Sequence, residues 1–308
     1  MTQQQLMVNA TIAHGLDVIG DRWALLILRD AFLGCTRFEA FRQQSGISKA
    51  TLTRRLDALI AEGVLQKKAY AANRYDYVLS QKGKRLFASS LLAWQWENQW
   101  CKQEPTYPLP PKLEHVNCQH TLEPEAVCSH CNLPIKLNQI QLPLQALNAS
   151  QQIDAMQSLT KQRRVRSTEK PVAVNESLAT ISDLIGDRWT LLTLICAFFG
   201  VKRYDDFLLH LHIATNILTQ RLNHLVEVKV LERKPYQENP VRMEYLLTEK
   251  GRSLFTIVMS LRQWVCMEYQ VTSELIEPAH KPCGRPLRIE IQCKHCKTAA
   301  TTKDVTFL

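Results

Sequence analysis

The sequence has no long hydrophobic run. Its longest apolar stretch, LLTLICAFFGV, is 11 residues, which is too short to cross a bilayer and is typical of a buried helix. The start, MTQQQLMVNAT, has no basic segment followed by an apolar one, so we expect no secretory signal. These absences predict a cytoplasmic protein, in which cysteine thiols stay reduced.

Motifs of the common enzyme classes are also missing. The chain contains no G-x-G-x-x-G, no phosphate-binding P-loop, no nucleophile elbow and no H-E-x-x-H. No pattern in the sequence pairs a nucleophile with a base. We therefore expect that the protein is not an enzyme.

Cysteine and positive charge, in contrast, are plentiful. Ten cysteines occur in 308 residues, and in a reducing compartment they suit metal ligation or burial better than disulfides. The formal net charge is +9 and the pI is about 9.1, which favours a polyanionic partner such as nucleic acid. This length leaves room for about two domains, each with its own core.

The chain is one unit written twice. The stretch GLDVIGDRWALLILRDAFLGCTRFEAF aligns with ISDLIGDRWTLLTLICAFFGVKRYDDF, so that GDRW at 20–23 corresponds to GDRW at 186–189. At the same shift of 166 residues, ISKATLTRRLDALIAEGVL aligns with IATNILTQRLNHLVEVKVL. A repeat of this length indicates two fused domains and not a solenoid of short repeats.

Each copy predicts a winged helix-turn-helix. In copy 1, helical apolar spacing runs over residues 16–32, and a short helix around Phe38 and Phe41 leads to a second apolar stripe over 48–62. Two β-rich runs, with a turn at 71–73, predict a hairpin, and a long helix over about 82–100 closes the unit.

We therefore expect a mainly α fold with small β wings (α+β). It should contain two tandem winged helix-turn-helix domains, each followed by a small Cys/His, zinc-ribbon-like module. The predicted boundaries are winged helix copy 1 at 1–104, module 1 at 105–145, a polar linker at 146–172, winged helix copy 2 at 173–271 and module 2 at 272–308.

Four positions keep one spacing in both modules. HVNCQHTLEPEAVCSHC at 115–131 and HKPCGRPLRIEIQCKHC at 280–296 both read H-x2-C-x9-C-x2-C, although most other residues differ. Three thiolates and one imidazole can close a tetrahedral Zn²⁺ site. We expect structural zinc, up to two ions per chain, with one complete ligand set inside each module. The expected ligands are His115, Cys118, Cys128, Cys131, His280, Cys283, Cys293 and Cys296.

Other interpretations of these modules remain open. His130 and His295 compete for the place of the fourth ligand, and of the paired glycines typical of zinc ribbons only Gly284 is present. The modules could instead be metal-free β units with reduced thiols, or redox-switched cysteine clusters. Four further cysteines do not recur between the copies and are expected to be ordinary buried thiols: Cys35, Cys101, Cys196 and Cys266.

The chain resembles the HxlR-type winged helix-turn-helix transcriptional regulators of bacteria, relatives of the MarR group. The resemblance rests on LDVIGDRWALLILRDAFLG, RFEAF, GISKATLTRRLDALIAEGVL and YVLSQKG in copy 1, and on LIGDRW and the run NILTQRLNHLVEVKVLERKPYQENPVRMEYLLTEKGR in copy 2. Two copies in one chain resemble a tandem-duplicated branch of the family. Redox-sensing members carry a cysteine 13 residues before the GDRW tryptophan, where this chain has Ala10 and Glu176. Thiol sensing by that route is therefore not expected.

The resemblance also implies how the chain assembles. Family members dimerise through their first and last helices, so the two copies here should form an intramolecular pseudo-dimer, and a homodimer of the whole chain becomes optional. The tryptophans of the closing helices are expected in the core or in this interface: Trp94, Trp96, Trp100 and Trp264. Trp23 and Trp189 are expected in the core. Copy 1 lacks the wing proline of copy 2, so its wing is expected to differ in shape.

In this fold the second helix of the motif enters the major groove of double-stranded DNA and the wing approaches the backbone or minor groove. Outward-facing donors and acceptors then contact base edges or phosphates. The candidates in copy 1 are Ser48, Lys49, Thr53, Arg54, Arg55 and the wing residue Arg74. The candidates in copy 2 are Thr215, Asn216, Thr219, Gln220, Arg221 and the wing residue Arg242.

The two copies differ in charge. Residues 1–104 hold 14 Lys and Arg against 9 Asp and Glu, whereas residues 173–271 hold 11 of each. Because phosphate contacts dominate DNA affinity, we expect copy 1 to supply most of it.

The leading hypothesis is a repressor in the bacterial cytoplasm, associated with the nucleoid and open to an unknown small-molecule effector. The alternative is a winged-helix protein-interaction module, or a partner-dependent regulator in which only copy 1 binds DNA.

Overall fold

The structure is a computed structural model that describes residues 18–101, 112–141, 179–270 and 277–307. The predicted linker at 146–172 lies outside the described residues, as do Ala10 and Glu176. Among the described helices, none is both long enough and apolar enough to span a membrane.

The two halves share one order of elements. Copy 1 contains α1 (Arg22–Phe32), α2 (Phe38–Ser45), α3 (Lys49–Ala61), β1 (Leu65–Ala71), β2 (Arg74–Leu79), α4 (Gln81–Lys84), α5 (Phe87–Trp100), β3 (Leu113–His115), β4 (His120–Thr121), β5 (Pro124–Cys128), a 3-10 turn (Leu137–Gln139) and β6 (Ile140–Gln141). Copy 2 contains α6 (Ala179–Gly186), α7 (Arg188–Phe198), α8 (Tyr204–Leu211), α9 (Thr215–Glu227), β7 (Leu231–Gln237), β8 (Arg242–Leu247), α10 (Glu249–Glu268), β9 (Ala279–His280), β10 (Arg285–Pro286), β11 (Ile289–Cys293) and β12 (Val305–Phe307).

The GDRW motif breaks a helix in both copies. Helix α1 begins only at Arg22, because the Asp21 carboxylate accepts a hydrogen bond from the backbone N–H of Trp23 at 3.1 Å and caps a new helix. Asp187 caps α7 in the same way, through the N–H of Thr190 at 2.8 Å. The helical apolar spacing over 16–32 is therefore interrupted at Asp21, since apolar spacing alone does not register an aspartate cap.

Helices α3 and α9 are seated by their apolar stripes. Leu52, Leu56 and Leu59 are buried in copy 1, as are Leu218, Leu222 and Leu225 in copy 2. The stripe recurs every three or four residues, so it covers one face of each helix and leaves the opposite face in solvent.

The hairpins β1–β2 and β7–β8 pair in the same register and carry an irregularity at the same place, between Ala69 and Ala71 and between Pro235 and Gln237. The expected difference in wing shape is therefore confined to the turn. Copy 1 turns through Ala72 and Asn73, and copy 2 through a longer turn that contains a cis peptide bond before Pro240.

The predicted long closing helix is continuous only in copy 2, as α10. In copy 1 it is interrupted after Lys84, and Arg85 at the interruption pairs with Glu268 of copy 2 through a hydrogen bond of 2.8 Å.

Helices α5 and α10 pack against each other and join the copies. Trp96 Nε1 donates to the Lys250 carbonyl at 3.3 Å, and at the equivalent position Trp264 Nε1 donates to the Lys82 carbonyl at 2.9 Å. Both indoles are 3% exposed. These reciprocal bonds confirm the expected interface role of Trp96 and Trp264. Trp23 and Trp189 are only partly buried, so they border the core and do not lie within it.

A second contact between the copies involves the GDRW glycine. A side chain at Gly186 would approach the backbone nitrogen of Arg22 to 2.8 Å and the carbonyl of Gly20 to 3.0 Å, so only glycine permits this close approach. Nearby, Arg22 pairs with Asp183 at 3.2 Å. The buried Glu97 of α5 accepts a hydrogen bond of 3.1 Å from the backbone N–H of Ile181 in the first turn of α6.

The two Cys/His segments form one interleaved unit. Strand β5 pairs antiparallel with β11, β12 pairs with β3, and β6 pairs with β9, so every one of these pairs joins the two copies. The last strand of each segment thus completes the sheet of the other. The core is also shared, since one cluster of buried apolar residues runs through both winged helices and both segments.

One detail breaks this pseudo-symmetry. In copy 2, Gln263 of α10 donates to the Ile289 carbonyl at 3.0 Å and accepts from the Ile289 N–H at 2.7 Å. The equivalent residues of copy 1 are Gln95 and Pro124, and proline has no N–H to donate. A cleft of about 690 Å³ lies here, between α5, β5 and the start of α10.

Glu97 supplies a test of the contact between the copies. Burial raises the pKa of Glu97 above its ordinary value of 4.5, so the folded protein binds its proton more tightly than the unfolded chain does. At pH values below the unfolded pKa, Glu97 is protonated in both states and does not lower the unfolding free energy. Between the unfolded and the folded pKa, the unfolded chain releases the Glu97 proton and the folded protein keeps it, so the unfolding free energy of the wild type falls. Glu97→Gln has no such proton and keeps its unfolding free energy. We expect the stability of Glu97→Gln relative to wild type to rise from acidic to neutral pH in urea titrations.

Glu97→Ala is the matched variant. It removes the acceptor of the Ile181 N–H, which should cost about 1–3 kcal/mol. A difference between Glu97→Gln and wild type that does not change with pH would contradict this account of the buried carboxyl group.

Candidate DNA interface and metal centre

Helix α3 presents the predicted DNA-contacting residues of copy 1. Ser48, Lys49, Thr53 and Arg54 are all exposed. The hydroxyl of Ser48 already caps the helix, because it accepts from the Thr51 N–H at 3.3 Å. The Thr53 hydroxyl donates to the Lys49 carbonyl at 3.0 Å. Lys49 and Arg54 therefore provide the cationic groups on this face.

Helix α9 presents the equivalent face of copy 2. Thr215, Asn216, Thr219 and Gln220 are exposed, and none of them is charged. Tyr204 of α8, which the sequence did not single out, donates to the Thr215 carbonyl at 2.9 Å and lies 3.0 Å from the Thr219 hydroxyl. It holds the first turn of α9, where Ala214 at the helix start supplies no side-chain cap.

Arg55 and Arg221 do not join these exposed faces. Arg55 pairs with Asp21 at 2.8 Å with 19% of its side chain exposed, and Arg221 pairs with Asp187 at 2.7 Å. Each arginine thus ties the motif's second helix to the aspartate that caps the GDRW helix. Their guanidinium groups are engaged by a carboxylate of their own copy and position the helix, and the expected contact of these arginines with DNA stays a prediction.

The wings carry exposed arginines as predicted, with Arg74 at the start of β2 and Arg242 at the start of β8. The sequence interpretation missed Lys67 and Lys68 on β1, which are also exposed. Lys67 lies over the ring of Tyr75, with its Nζ 4.1 Å from the ring centre. The adjacent lysines of the β1 run were the available signal. Arg233 and Lys234 of β7 are exposed at the equivalent positions, so both wings are basic and copy 1 alone adds a basic helix.

All eight predicted metal ligands fall into two four-residue clusters, but each cluster draws on both copies. One comprises His115, Cys118, Cys293 and Cys296, and the other comprises Cys128, Cys131, His280 and Cys283. The ligand atoms of each cluster lie within 4.8 Å of one another. The prediction of one complete set inside each module is therefore wrong, because β5 and β11 pair across the copies and bring each C-x2-C to the H-x2-C of the other segment.

The distances suit tetrahedral zinc. Bonds of about 2.3 Å to sulfur and about 2.0 Å to nitrogen place tetrahedral ligands about 3.8 Å apart for two sulfurs and about 3.5 Å apart for sulfur and nitrogen. In the first cluster, Cys118 Sγ and Cys293 Sγ are 3.9 Å apart, and His115 Nδ1 is 3.3 Å from Cys296 Sγ. In the second, Cys128 Sγ and Cys283 Sγ are 3.9 Å apart, and Cys131 Sγ is 3.3 Å from His280 Nδ1.

Four similar turns hold these ligands. Each places the residue after the second ligand in the left-handed region, at Gln119, Asn132, Gly284 and Lys297. Its N–H bonds back to the carbonyl of the first ligand at 2.8 Å in all four turns. The glycines that seemed to be missing are thus replaced by residues that adopt the same backbone conformation at some cost in strain.

Surrounding groups prepare the ligand atoms. His115 and His280 are fully buried, and the second nitrogen of His115 lies 3.3 Å from the Ala299 carbonyl, which orients the ring. Burial lowers the pKa of His280 and favours the neutral imidazole that binds metals. The Thr298 hydroxyl and backbone lower the pKa of Cys296 to about 6, which favours the thiolate.

The competing histidines lie outside the two clusters. His130 is exposed and belongs to no cluster of the described residues. His295 stacks on His120 with ring centres 3.7 Å apart, at the rim of the first cluster. The remaining cysteines behave as predicted only in part, since Cys35 and Cys196 are buried whereas Cys101 and Cys266 are partly exposed.

Comparison with known proteins decides the family. A model of the HxlR-like helix-turn-helix family matches the chain twice, at residues 18–105 and 184–273. The chain belongs to the HxlR-like helix-turn-helix family. An uncharacterised HTH-type transcriptional regulator of Mycobacterium tuberculosis is 41% identical over 133 residues, which cover 42% of this chain and 84% of that protein. The HTH-type transcriptional regulator YodB of Bacillus subtilis is 32% identical over 82 residues, which cover 26% and 73%.

Solved structures give similar matches. A protein of Pseudomonas aeruginosa, described as a candidate transcription factor, is 36% identical and covers 35% of this chain and 75% of its own, with a TM-score of 0.29. A candidate MarR-family regulator from Enterococcus faecalis is 26% identical and covers 33% and 96%, with a TM-score of 0.28. The HxlR-like family and the curated relatives are regulators of transcription, so this protein is a regulator and not an enzyme.

The charge difference between α3 and α9 leads to a salt-dependence test. Arg54 and Gln220 occupy equivalent exposed positions. Loss of one phosphate contact in Arg54→Ala should reduce the magnitude of the slope of log affinity against log salt by about one. Gln220→Ala should leave this slope unchanged. Fluorescence anisotropy with a DNA fragment from the promoter of the protein's own gene measures both. A larger loss of slope in Arg221→Ala than in Arg54→Ala would contradict the assignment of most DNA affinity to copy 1.

Proposed function

We propose that this chain is a bacterial repressor that uses its two winged helices as an intramolecular pseudo-dimer on an operator with two half-sites. It would act in the cytoplasm, on DNA of the nucleoid, by blocking a promoter. The observation that carries the proposal is the reciprocal pair of bonds between Trp96 and Lys250 and between Trp264 and Lys82. These bonds join the closing helices as equivalent halves of one interface, and two equivalent halves suit two half-sites.

The two copies would contribute differently to DNA binding. Copy 1 offers exposed cations on both its helix and its wing, namely Lys49, Arg54, Lys67, Lys68 and Arg74. Copy 2 offers Asn216 and Gln220 on its helix, whose amides suit adenine edges. In this proposal copy 1 supplies most of the phosphate attraction, and copy 2 adds base contacts at a weaker half-site.

Zinc would be structural in this protein. Each cluster offers three sulfurs and one imidazole nitrogen, so a tetrahedral ion would have no open position for a substrate. Two ions per chain fit the two clusters. The soft thiolate-rich ligand set favours Zn²⁺ over hard cations such as Mg²⁺ and Ca²⁺.

We place the small-molecule effector in the cleft beneath α5. Its walls include the apolar groups of Trp96, Ala126, Ile135 and Phe255. Trp96 is also one of the two interface tryptophans, so a ligand that displaced it would disturb the contact between the copies. The effector site would thus act on the spacing of the two DNA-contacting helices.

The alternative function, a partner-dependent regulator in which only copy 1 binds DNA, has its own support. The balanced charge of residues 173–271 weakens the attraction of copy 2 to phosphate. Two large apolar side chains of copy 2 are exposed, Leu209 by 54% and Val241 by 68%. A protein partner could cover these groups.

A nuclease footprint on the promoter region of the protein's own gene separates the two functions. The pseudo-dimer predicts two protected half-sites about one helical turn apart. Asn216→Ala together with Gln220→Ala should weaken protection of one half-site and leave the other. A single short protected site, unchanged by this double variant, would contradict the pseudo-dimer and favour the alternative.

A further inference from the structure

We propose that the two metal sites are clamps between the copies, so that metal occupancy holds the two winged helices at one fixed spacing. The inference about DNA rests on the proposed function, whereas the inference about the clamps rests on the ligand geometry alone. A clamp between the copies differs from the expected zinc-stabilised module, in which each copy would bind its metal independently of the other copy.

The ligand sets require both copies. His115 and Cys118 come from the first segment, and their partners Cys293 and Cys296 come from the second. A single segment therefore offers only two ligands to each site. Two ligands hold zinc far more weakly than four, because the remaining positions stay with water. Metal binds tightly only when the two segments are interleaved, and by mass action it must stabilise that arrangement.

The clamped segments connect directly to the helices that join the copies. Strand β5 contacts α5, and strand β11 contacts α10. In copy 2, the Gln263 side chain joins α10 to β11 through two hydrogen bonds with the backbone of Ile289. The segments that hold the metal sites therefore pack on the two helices that join the copies. Loss of metal would free the segments to separate and would relax the contact between α5 and α10.

The ligand partition can be tested with two double variants that remove the same kind of atom. Cys118→Ser with Cys293→Ser removes two ligands from one cluster. Cys118→Ser with Cys128→Ser removes one ligand from each cluster, although both cysteines lie in the same segment. Metal per chain is counted by mass spectrometry on gel-filtered, full-length protein that is shown to be folded by circular dichroism. Co²⁺ absorption then reports whether each remaining site is tetrahedral.

In the presence of a competing chelator, we expect two zinc ions in the wild type, one in the same-cluster variant and fewer in the same-segment variant, because three protein ligands hold zinc less tightly than four. If each segment held its own ion, the order would be reversed. A same-segment variant that retains as much zinc as the same-cluster variant would overturn the clamp.

A second measurement needs no substitution. In zinc-loaded wild-type protein, diamide accepts two electrons from a pair of adjacent thiolates and two protons from water, which leaves a disulfide and releases the ion. The sulfur distances of 3.9 Å predict Cys118–Cys293 and Cys128–Cys283 as the first pairs in peptide maps. A first disulfide that joins the two clusters within one segment, Cys118–Cys128 or Cys283–Cys293, would contradict the interleaved arrangement.

The link to DNA is measured separately. On the footprinted promoter fragment, the same-cluster variant should lose about tenfold in affinity, whereas on a fragment with only the copy 1 half-site it should lose little, a difference within the usual range of coupling between sites. Equal losses on both fragments would overturn the link between metal and spacing. A wild type that binds neither fragment would refute the proposed function, while the zinc counts would still decide the clamp.

Discussion

The antiparallel pairing of β5 with β11 is the contact on which the rest of the structure depends. It joins residues 124–128 of one copy to 289–293 of the other, and its register places Cys128 opposite Ile289 and Cys293 opposite Pro124. This crossing brings each C-x2-C turn to the opposite H-x2-C turn. Strand β5 also contacts α5, and β11 contacts α10, so the same strand pairing supports the contact between the two closing helices.

Equivalent positions of the two copies differ in chemistry. The interface keeps its paired features, since Trp96 and Trp264 make the same bond to opposite copies. The exposed faces of α3 and α9 have diverged, with Arg54 in one and Gln220 in the other. A fused chain permits such divergence because its two halves no longer need to be identical, whereas a homodimer presents the same surface twice. Pro124 likewise replaces a strand N–H, and the cleft of about 690 Å³ beside it is larger than the cleft of about 140 Å³ beside Ile289.

Much of the fold was predictable from periodicity. The stripe of α3 and the β-rich runs of the wing depend on local spacing, and both lie close to where the sequence placed them. The start of α1 was not predictable in the same way, because Asp21 acts through a capping bond that a hydrophobic pattern does not register. The ion pair of Arg55 was not predictable for a related reason: its partner Asp21 is 34 positions away in the chain.

The metal ligands show more clearly that local sequence patterns do not reveal contacts between distant segments. The repeated H-x2-C-x9-C-x2-C spacing identified all eight residues, because only the ligands need to persist when a segment diverges. It could not show how the ligands are shared, since each H-x2-C and each C-x2-C forms the same kind of turn whichever partner it faces. The partition is a property of strand pairing over more than 150 residues, and local spacing carries no information about it.

The central claim is that the two winged helices form one unit at a fixed distance, and an electron spin distance measurement tests it most directly. Nitroxide labels attached through unnatural ketone residues at the equivalent exposed positions Ala50 and Asn216 would report the separation of α3 and α9 without using cysteine. The account predicts one narrow distance distribution in the metal-bound chain, independent of protein concentration, and a broad one after chelation. A broad distribution in the metal-bound chain, or a narrow one that survives complete removal of metal, would contradict it.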